Sequence, residues 1–483
     1  TGAVISLTMH IGNLPCSNPS ALHGKTSRPQ SSRIGTPGMA NGPSVAIIGA
    51  GVVGLCTALE WLRAGYTVSL FDQESPASQT SYGNAAYLAA EYMAPLASPE
   101  HIRSALQESF SDRSAFKVTP DHWPRFLPWA MRFARQALPD RVRHNQQAIS
   151  RLNRASIDAW KDVLRFARAQ DELRSSGYLQ LWEKAGQLQN AQAAQVAARE
   201  WGFDPLIVQG DALFELDPSL KRRLNHALYY PGAHHLGDTY ETCLRLFECY
   251  RKQGGRFEQQ KVWNVTPHRA GATLLLQGKR ESYNKVVIAA GVWSKQLLEE
   301  LDLSVPLAAE RGYHLTLPGE RSRISNILSS ADRHIVLSPL DCGLRVVGFG
   351  EYANLDSKPL DKRYRQLKNH LNKLIRDIDT GKDKIETWMG IRPTLPDSLP
   401  VIDQHPIHPQ IGMVFGHQHL GVTQAAISAK MITALMTEGK HSKAWKPFAD
   451  GLDAYNVTRF KQTRLNAEPD FSDSAEAEPA DLD

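Results

Sequence analysis

Residues Ser44 to Glu74 carry the densest chemistry in the chain. Gly49, Gly51 and Gly54 stand in G-x-G-x-x-G spacing, with Ala50, Val52 and Val53 in the gaps. Gly49 allows a sharp turn, Gly51 lets backbone approach a pyrophosphate, and Gly54 lets a helix pack closely on a strand. The free N–H groups at the helix start then face the phosphates. Asp72, followed by Gln73, ends the next apolar run, where a carboxylate accepts from adenosine ribose hydroxyls. An acid there argues against a 2′-phosphate and so against NADP. Further on, Arg392 precedes Pro393, Tyr313 and His314 are adjacent, and His417 and His419 flank Gln418. A guanidinium can grip a carboxylate with two parallel bonds, and an imidazole can hold or release a proton near neutral pH. The histidines form no metal set, since no H-x-x-x-H helix with an acid partner accompanies them.

Positioning these groups needs strands that end in turns. Val45 to Ile48 and Val68 to Phe71 read as buried parallel strands around the glycine turn. Lys285–Gln296 repeats the strand-turn-helix pattern, with Gly291 at the break, and Gly412–Thr437 repeats it again with a long Ala-rich helix. Gly255–Val265, Gly271–Gln277 and Arg280–Lys285 add further strand and turn. The economical fold is α/β, a Rossmann-type dinucleotide-binding domain built from non-contiguous segments. The blocks between differ. Pro124–Leu138, Asp140–Arg168, Lys184–Gly202 and Arg363–Ile378 carry helical apolar spacing, and residues 305–350 alternate as strands do. These define a second α+β domain, a sheet with helices. The expected division is 44–99, 225–304 and 385–445 for dinucleotide binding, with 100–224 and 305–384 for the substrate.

The bulk numbers exclude several classes. The 483 residues are 42% hydrophobic and 22% charged, ordinary for globular domains, and the net charge of +5 comes with no basic run of the kind nucleic acid needs. Five cysteines without C-x-x-C spacing read as reduced thiols. No stretch approaches ~20 uninterrupted apolar residues, so no transmembrane helix is expected. Residues 1–43 are Ser-, Gly- and Pro-rich without Asp or Glu, and read as a disordered leader, as read-through ahead of a start at Met39, or as a transit peptide. Residues 467–483 read as an acidic disordered tail.

Five motifs in order carry a family resemblance: the turn at 49–54, SYGNAAYLAAEYMAPLASP (81–99), ERGYHLTL (310–317), WMGIRPTLPDSLPVI (388–402) and GHQHLGVTQAA (416–426). The chain resembles the D-amino-acid oxidase/dehydrogenase (DAO-type) flavoproteins, most of all the bacterial D-amino-acid dehydrogenase branch. The resemblance implies FAD as cofactor. It places Ser81, Gly83, Asn84 and Ala85 along the pyrophosphate and flavin, Val262 at adenine, and Ala290 and Gly291 beside the cofactor. Gly416, His417, His419, Leu420 and Gly421 then form the turn that points the last helix at the flavin. Two positions depart from the family pattern: Ala86 and Gln418 stand where glycine is usual.

What the resemblance implies is FAD-dependent oxidation of a D-amino acid or cyclic D-imino acid of the D-proline or hydroxyproline type. Hydride would pass from Cα to flavin N5, with quinone or oxygen as final acceptor. Arg392 is expected to hold the substrate carboxylate, or instead to pair with an acid such as Asp397. Tyr313 and His314 would lie on opposite strand faces, so only one faces the substrate. His419 is a further candidate, and Arg311 and Arg345 are candidate second cations. Tyr87, Tyr92 and Trp388 are candidate pocket walls. A glycine or sarcosine oxidase and a membrane-associated electron-transfer subunit are the alternatives. The Trp123–Leu138 segment can lie on a bilayer or pack inside the second domain. The expected location is cytoplasmic, or peripheral on the inner membrane.

Overall fold

The computed structural model describes residues 42–99, 102–103, 116–378, 380–381, 384–443 and 445–460. Two sheets organise them. The first has six strands in the order Arg256–Gln259, Thr67–Asp72, Ser44–Ile48, Lys285–Ile288, Ile411–Phe415, Val401–Gln404. Neighbours are parallel except the last pair. The central strands are almost wholly buried on both faces, which is why they read as continuous apolar runs. Helix Val52–Arg63 starts at Gly51 and packs against the final helix, Gly421–Glu438. That final helix is buried almost all round because the long helix Pro139–Ala167 also covers it. Trp160 in the long helix donates its ring N–H to Val422 O at 2.8 Å.

The second sheet has nine strands. Its working part is Glu386–Thr394, Ala308–Leu317 and Gly343–Tyr352, paired antiparallel in that order. Even-numbered residues of Ala308–Leu317 share a face with Trp388, Gly390 and Arg392, because successive side chains alternate. Helix Asp361–Leu374 packs on the opposite face.

The fold class matches the sequence reading: an α/β dinucleotide-binding part with a second sheet and its helices. Strand pairing departs from the expected division at two places. His226–Tyr230 and Glu386–Thr394, both assigned to the dinucleotide side, hydrogen-bond within the nine-stranded sheet. Glu386–Thr394 is nine residues long, and it pairs along its whole length with Ala308–Leu317 before the chain returns to the first sheet at Val401. The run Gly255–Val265 is two strands rather than one, Arg256–Gln259 and Asn264–His268. The leader up to residue 41 and the acidic tail lie outside the described residues. Cys56, Cys243, Cys249 and Cys342 are free thiols. Among the described residues no helix is long and apolar enough to cross a membrane.

Candidate active site

A groove of about 180 Å³ runs over the carboxyl ends of the first sheet. Asp72, Gln73, Gln260 and Val262 line it where the first two strands end. Gly49, Gly51, Val52, Val53 and Ser81 line its middle, with Ala290 and Gly291 opposite. Asn84, His417, Gln418 and Gly421 complete it. The glycines explain the shape. Gly49 has φ +111°, and a Cβ there would meet Ala289 O at 2.4 Å. A Cβ on Gly54 would overlap Gly49 O at 1.8 Å, so Gly54 serves helix packing and does not line the groove. Ala50, Gly416 and Leu420 also stay out of the wall.

Asp72 has a structural task of its own. Its Oδ2 accepts from Ala50 N at 2.7 Å and its Oδ1 from Glu74 N at 3.0 Å, so the carboxylate braces the glycine turn. Burial pushes its pKa up, and those two backbone bonds oppose the push. Ser81 Oγ accepts from Val52 N at 3.0 Å, tying the 81–84 loop to the helix start. An elongated groove over a glycine turn and a helix N-terminus, with an acid at one end, fits an adenine dinucleotide.

A second cavity of about 360 Å³ opens beside the groove, between the loop 80–96 and the second sheet. Thr80, Asn84 and Gln418 line both spaces, so the two meet there. Arg392 is the one Arg or Lys among its described lining residues. Arg392 Nη1 donates to Glu310 Oε1 at 2.7 Å and to Phe349 O at 2.9 Å. Glu310 is held in turn by Thr394 Oγ1 at 2.8 Å and Tyr352 OH at 3.3 Å. The rest of the guanidinium lies over Gly312, where a Cβ would come within 2.3 Å of Nη2. Asp397 pairs instead with Arg459 at 2.7 Å. Glu310 and Phe349 were not singled out in the sequence. Glu310 reaches Arg392 only through strand pairing, in which the two are cross-strand partners. Phe349 has φ +68° and sits in a bulge, where Phe349 and Gly350 oppose the single residue Gly312. A bulge of this kind re-aims backbone groups, here the carbonyl that meets Arg392.

Tyr313 is not in this site. It faces the helix side, donates to Glu351 Oε1 at 3.0 Å and accepts from Leu360 N at 3.2 Å. His314 is on the cavity face yet does not reach the cavity. Its Nδ1–H donates to Gly83 O at 3.0 Å and its ring stacks on Trp388 at 5.3 Å. Burial, then the Arg345 charge, hold its pKa well below the usual imidazole range, so it supports the loop as a neutral donor. Arg345 does similar work, donating to Asn84 O at 3.0 Å and Tyr82 O at 3.3 Å. Arg311 is buried on the far face, where it binds backbone carbonyls and lies 3.6 Å from Glu351. Gly83, Ala85, Tyr87, Tyr92, Trp388 and His419 line the second cavity. His419 meets the Tyr92 ring edge-on at 5.1 Å.

The turn before the final helix completes the wall. His417 Nε2 lies 3.0 Å from Ser428 Oγ, and burial drives the imidazole pKa down to about 3. Gly416 has φ +87° and Gln418 φ +52°. Ala86 has φ +57°. Both departures from the family's glycines therefore keep a left-handed backbone, at a cost of about 1 kcal/mol or more each.

Sheet order and a groove over the first crossover define a dinucleotide-binding fold with an adjoining cavity. The chain belongs to the DAO family of FAD dependent oxidoreductases, whose family model matches residues 44–435. A D-amino acid dehydrogenase of Vibrio atlanticus (strain LGP32) is 28% identical over 409 residues, covering 81% of this chain and 95% of that protein. A D-amino-acid oxidase of Bradyrhizobium diazoefficiens is 26% identical over 420 residues, covering 85% and 99%. Among solved structures, a glycine oxidase from Geobacillus kaustophilus superposes with a TM-score of 0.65 at 18% identity, covering 86% of this chain and 98% of that one.

Proposed function

We propose that this protein oxidises D-amino acids, including cyclic D-imino acids of the proline type, at the Cα–N bond. The observation that carries the reading is Arg392, held rigid in a cavity that meets the dinucleotide groove at Thr80, Asn84 and Gln418. FAD, when bound, supplies the hydride acceptor. The groove lined by Gly49, Gly51, Ser81, Asn84 and Val262 would hold it. Arg392 would bind the substrate carboxylate through the nitrogens that Glu310 and Phe349 leave open, and this fixes Cα toward the junction. Trp388 and Tyr92 wall the cavity. No side chain needs to act as a strong base if the amine enters neutral, and burial keeps His417 uncharged at neutral pH.

Anaerobic mixing of the FAD-loaded protein with a panel of D- and L-amino acids, glycine and sarcosine tests the reading. Bleaching by D-alanine or D-proline is expected. Bleaching by glycine alone would give the glycine-oxidase alternative, and bleaching by none would end the enzyme reading. Arg392→Ala should raise KM roughly ten- to hundred-fold, the loss of hydrogen bonds to a charged group.

One further observation bears on where the electrons go. Helix Trp123–Gln136 buries Phe126 and Trp129 but exposes Trp123, Leu127 and Met131, one above the other. Arg125, Arg132 and Arg135 sit on the same exposed helix. An apolar stripe flanked by arginines matches an anionic bilayer surface, from which a quinone could be reached. Flotation with phosphatidylglycerol vesicles is expected to carry the protein, and Leu127→Glu/Met131→Glu to release it. Failure to float would end the membrane reading.

A further inference from the structure

Gln418 combines three properties that belong together only if its side chain has work at the junction. First, its φ of +52° is a conformation that glycine adopts freely and glutamine does not. Second, it is 6% exposed and lines both the dinucleotide groove and the second cavity. Third, its amide is half used. Nε2 donates to Leu395 O at 3.3 Å. That acceptor fixes which end of the amide is nitrogen, because the reverse would set two oxygens against each other. The Oε1 has no hydrogen-bond partner among the described residues, and it is not among the buried, unpaired polar atoms. It is an acceptor left open in a residue otherwise closed off.

We propose that Gln418 Oε1 accepts a hydrogen bond from the substrate's amine N–H, making Gln418 a residue that selects primary and secondary amines. This rests on the reading of the site as an amino-acid oxidising centre. The argument is electrostatic. The neutral amine H–Cα–N–H loses a hydride from Cα. The hydride takes both bonding electrons to the bound FAD, and the nitrogen lone pair becomes the C=N bond. The product is an iminium, C=N⁺–H, and no other proton moves in the step. Positive charge therefore grows on nitrogen as the C–H bond breaks. An amide oxygen facing that N–H binds the transition state more tightly than the ground state, so it serves the rate as well as the affinity. Arg392 holds one end of the substrate, and Gln418 holds the nitrogen.

The test uses the FAD-loaded full chain and two variants. Gln418→Met keeps the side-chain length and removes the acceptor. Gln418→Gly removes the acceptor and relaxes the backbone, so it guards against a failure to fold. Stopped-flow reduction by D-alanine and N-methyl-D-alanine would give the rate. Calorimetry with propionate, which has the carboxylate but no amine, would give a readout independent of turnover. The expected result is a fall of about 10- to 100-fold in the reduction rate in both variants, with the propionate Kd within about twofold of the parent value. An unchanged reduction rate overturns the inference, as does an equal loss of D-alanine and propionate binding, which would mean a collapsed cavity. A parent enzyme that no amine reduces would overturn the underlying functional reading as well. Normal parent activity with unaffected variants sinks only the role of Gln418.

Discussion

Gly312→Ala would test the site without touching any group that reacts. Gly312 lies under Arg392 in the middle of Ala308–Leu317, and its φ is not left-handed, so alanine suits the backbone. The added methyl would stand 2.3 Å from Nη2, 2.5 Å from Cζ and 3.0 Å from Nε. Ordinary contact begins near 3.5 Å, so the guanidinium must retreat by about 1 Å. The bonds to Glu310 at 2.7 Å and Phe349 at 2.9 Å cannot both survive that shift. A displacement of this size in a positioning group costs on the order of 10²-fold in rate. The expected outcome is a fall of about 10²-fold in kcat/KM for D-amino acids. The FAD content should stay unchanged, since Gly312 lines only the second cavity. Steady-state kinetics beside a flavin-to-protein absorbance ratio would measure both. A variant that keeps its FAD and loses less than threefold in kcat/KM would refute the assignment of Arg392 as the carboxylate anchor.

Two other perturbations have calculable signs. His417 is neutral when folded because burial lowers its pKa to about 3, whereas unfolded histidine titrates near 6.5. The unfolded chain thus binds an extra proton below about pH 6.5. The stability is complete above that pH and is lost as pH falls toward 3, at about 1.4 kcal/mol per unit. His417→Gln should flatten the pH dependence of urea unfolding between pH 7 and 5, and an unaltered slope would remove this histidine from the account. Asp72→Asn replaces one acceptor with a donor facing Ala50 N–H or Glu74 N–H. FAD titration of the apoprotein should show about a tenfold weaker Kd, and equal affinity would mean the brace on the glycine turn is dispensable.

How legible the site was depended on how locally each part is built. The glycine turn and Asp72 lie within one crossover, so their spacing was readable, whereas Ser81 was reached only through the family resemblance. Arg392 stood out as a guanidinium before proline, with substrate binding or a structural ion pair both open. Its partner did not. Glu310 is 82 positions away, and only antiparallel register brings it across from Arg392. The alternation that separates Tyr313 from His314 was readable, but not which face meets the ligand, because both sides of this sheet are buried. The bulge at Phe349 left no signal, since phenylalanine is not a residue type that announces a left-handed backbone. The two missing family glycines were visible as letters, but the left-handed backbone that Ala86 and Gln418 adopt there was not.

The strand order of the first sheet has a bearing on how the chain reaches its working form. Ser44–Ile48 closes its parallel ladder on Lys285–Ile288, and that strand closes in turn on Ile411–Phe415. During synthesis the opening crossover, complete at Asp72, therefore waits, half-clad, until Phe415, 343 residues later, has left the ribosome. Contacts so distant in sequence make assembly slow and leave sticky edges bare meanwhile. The groove is lined by residues drawn from all three stretches, so a nucleotide would seat there only once the last has arrived. Free flavin would thus act late, as a latch on a finished fold, and a shortage of it would show first as lost yield of intact protein.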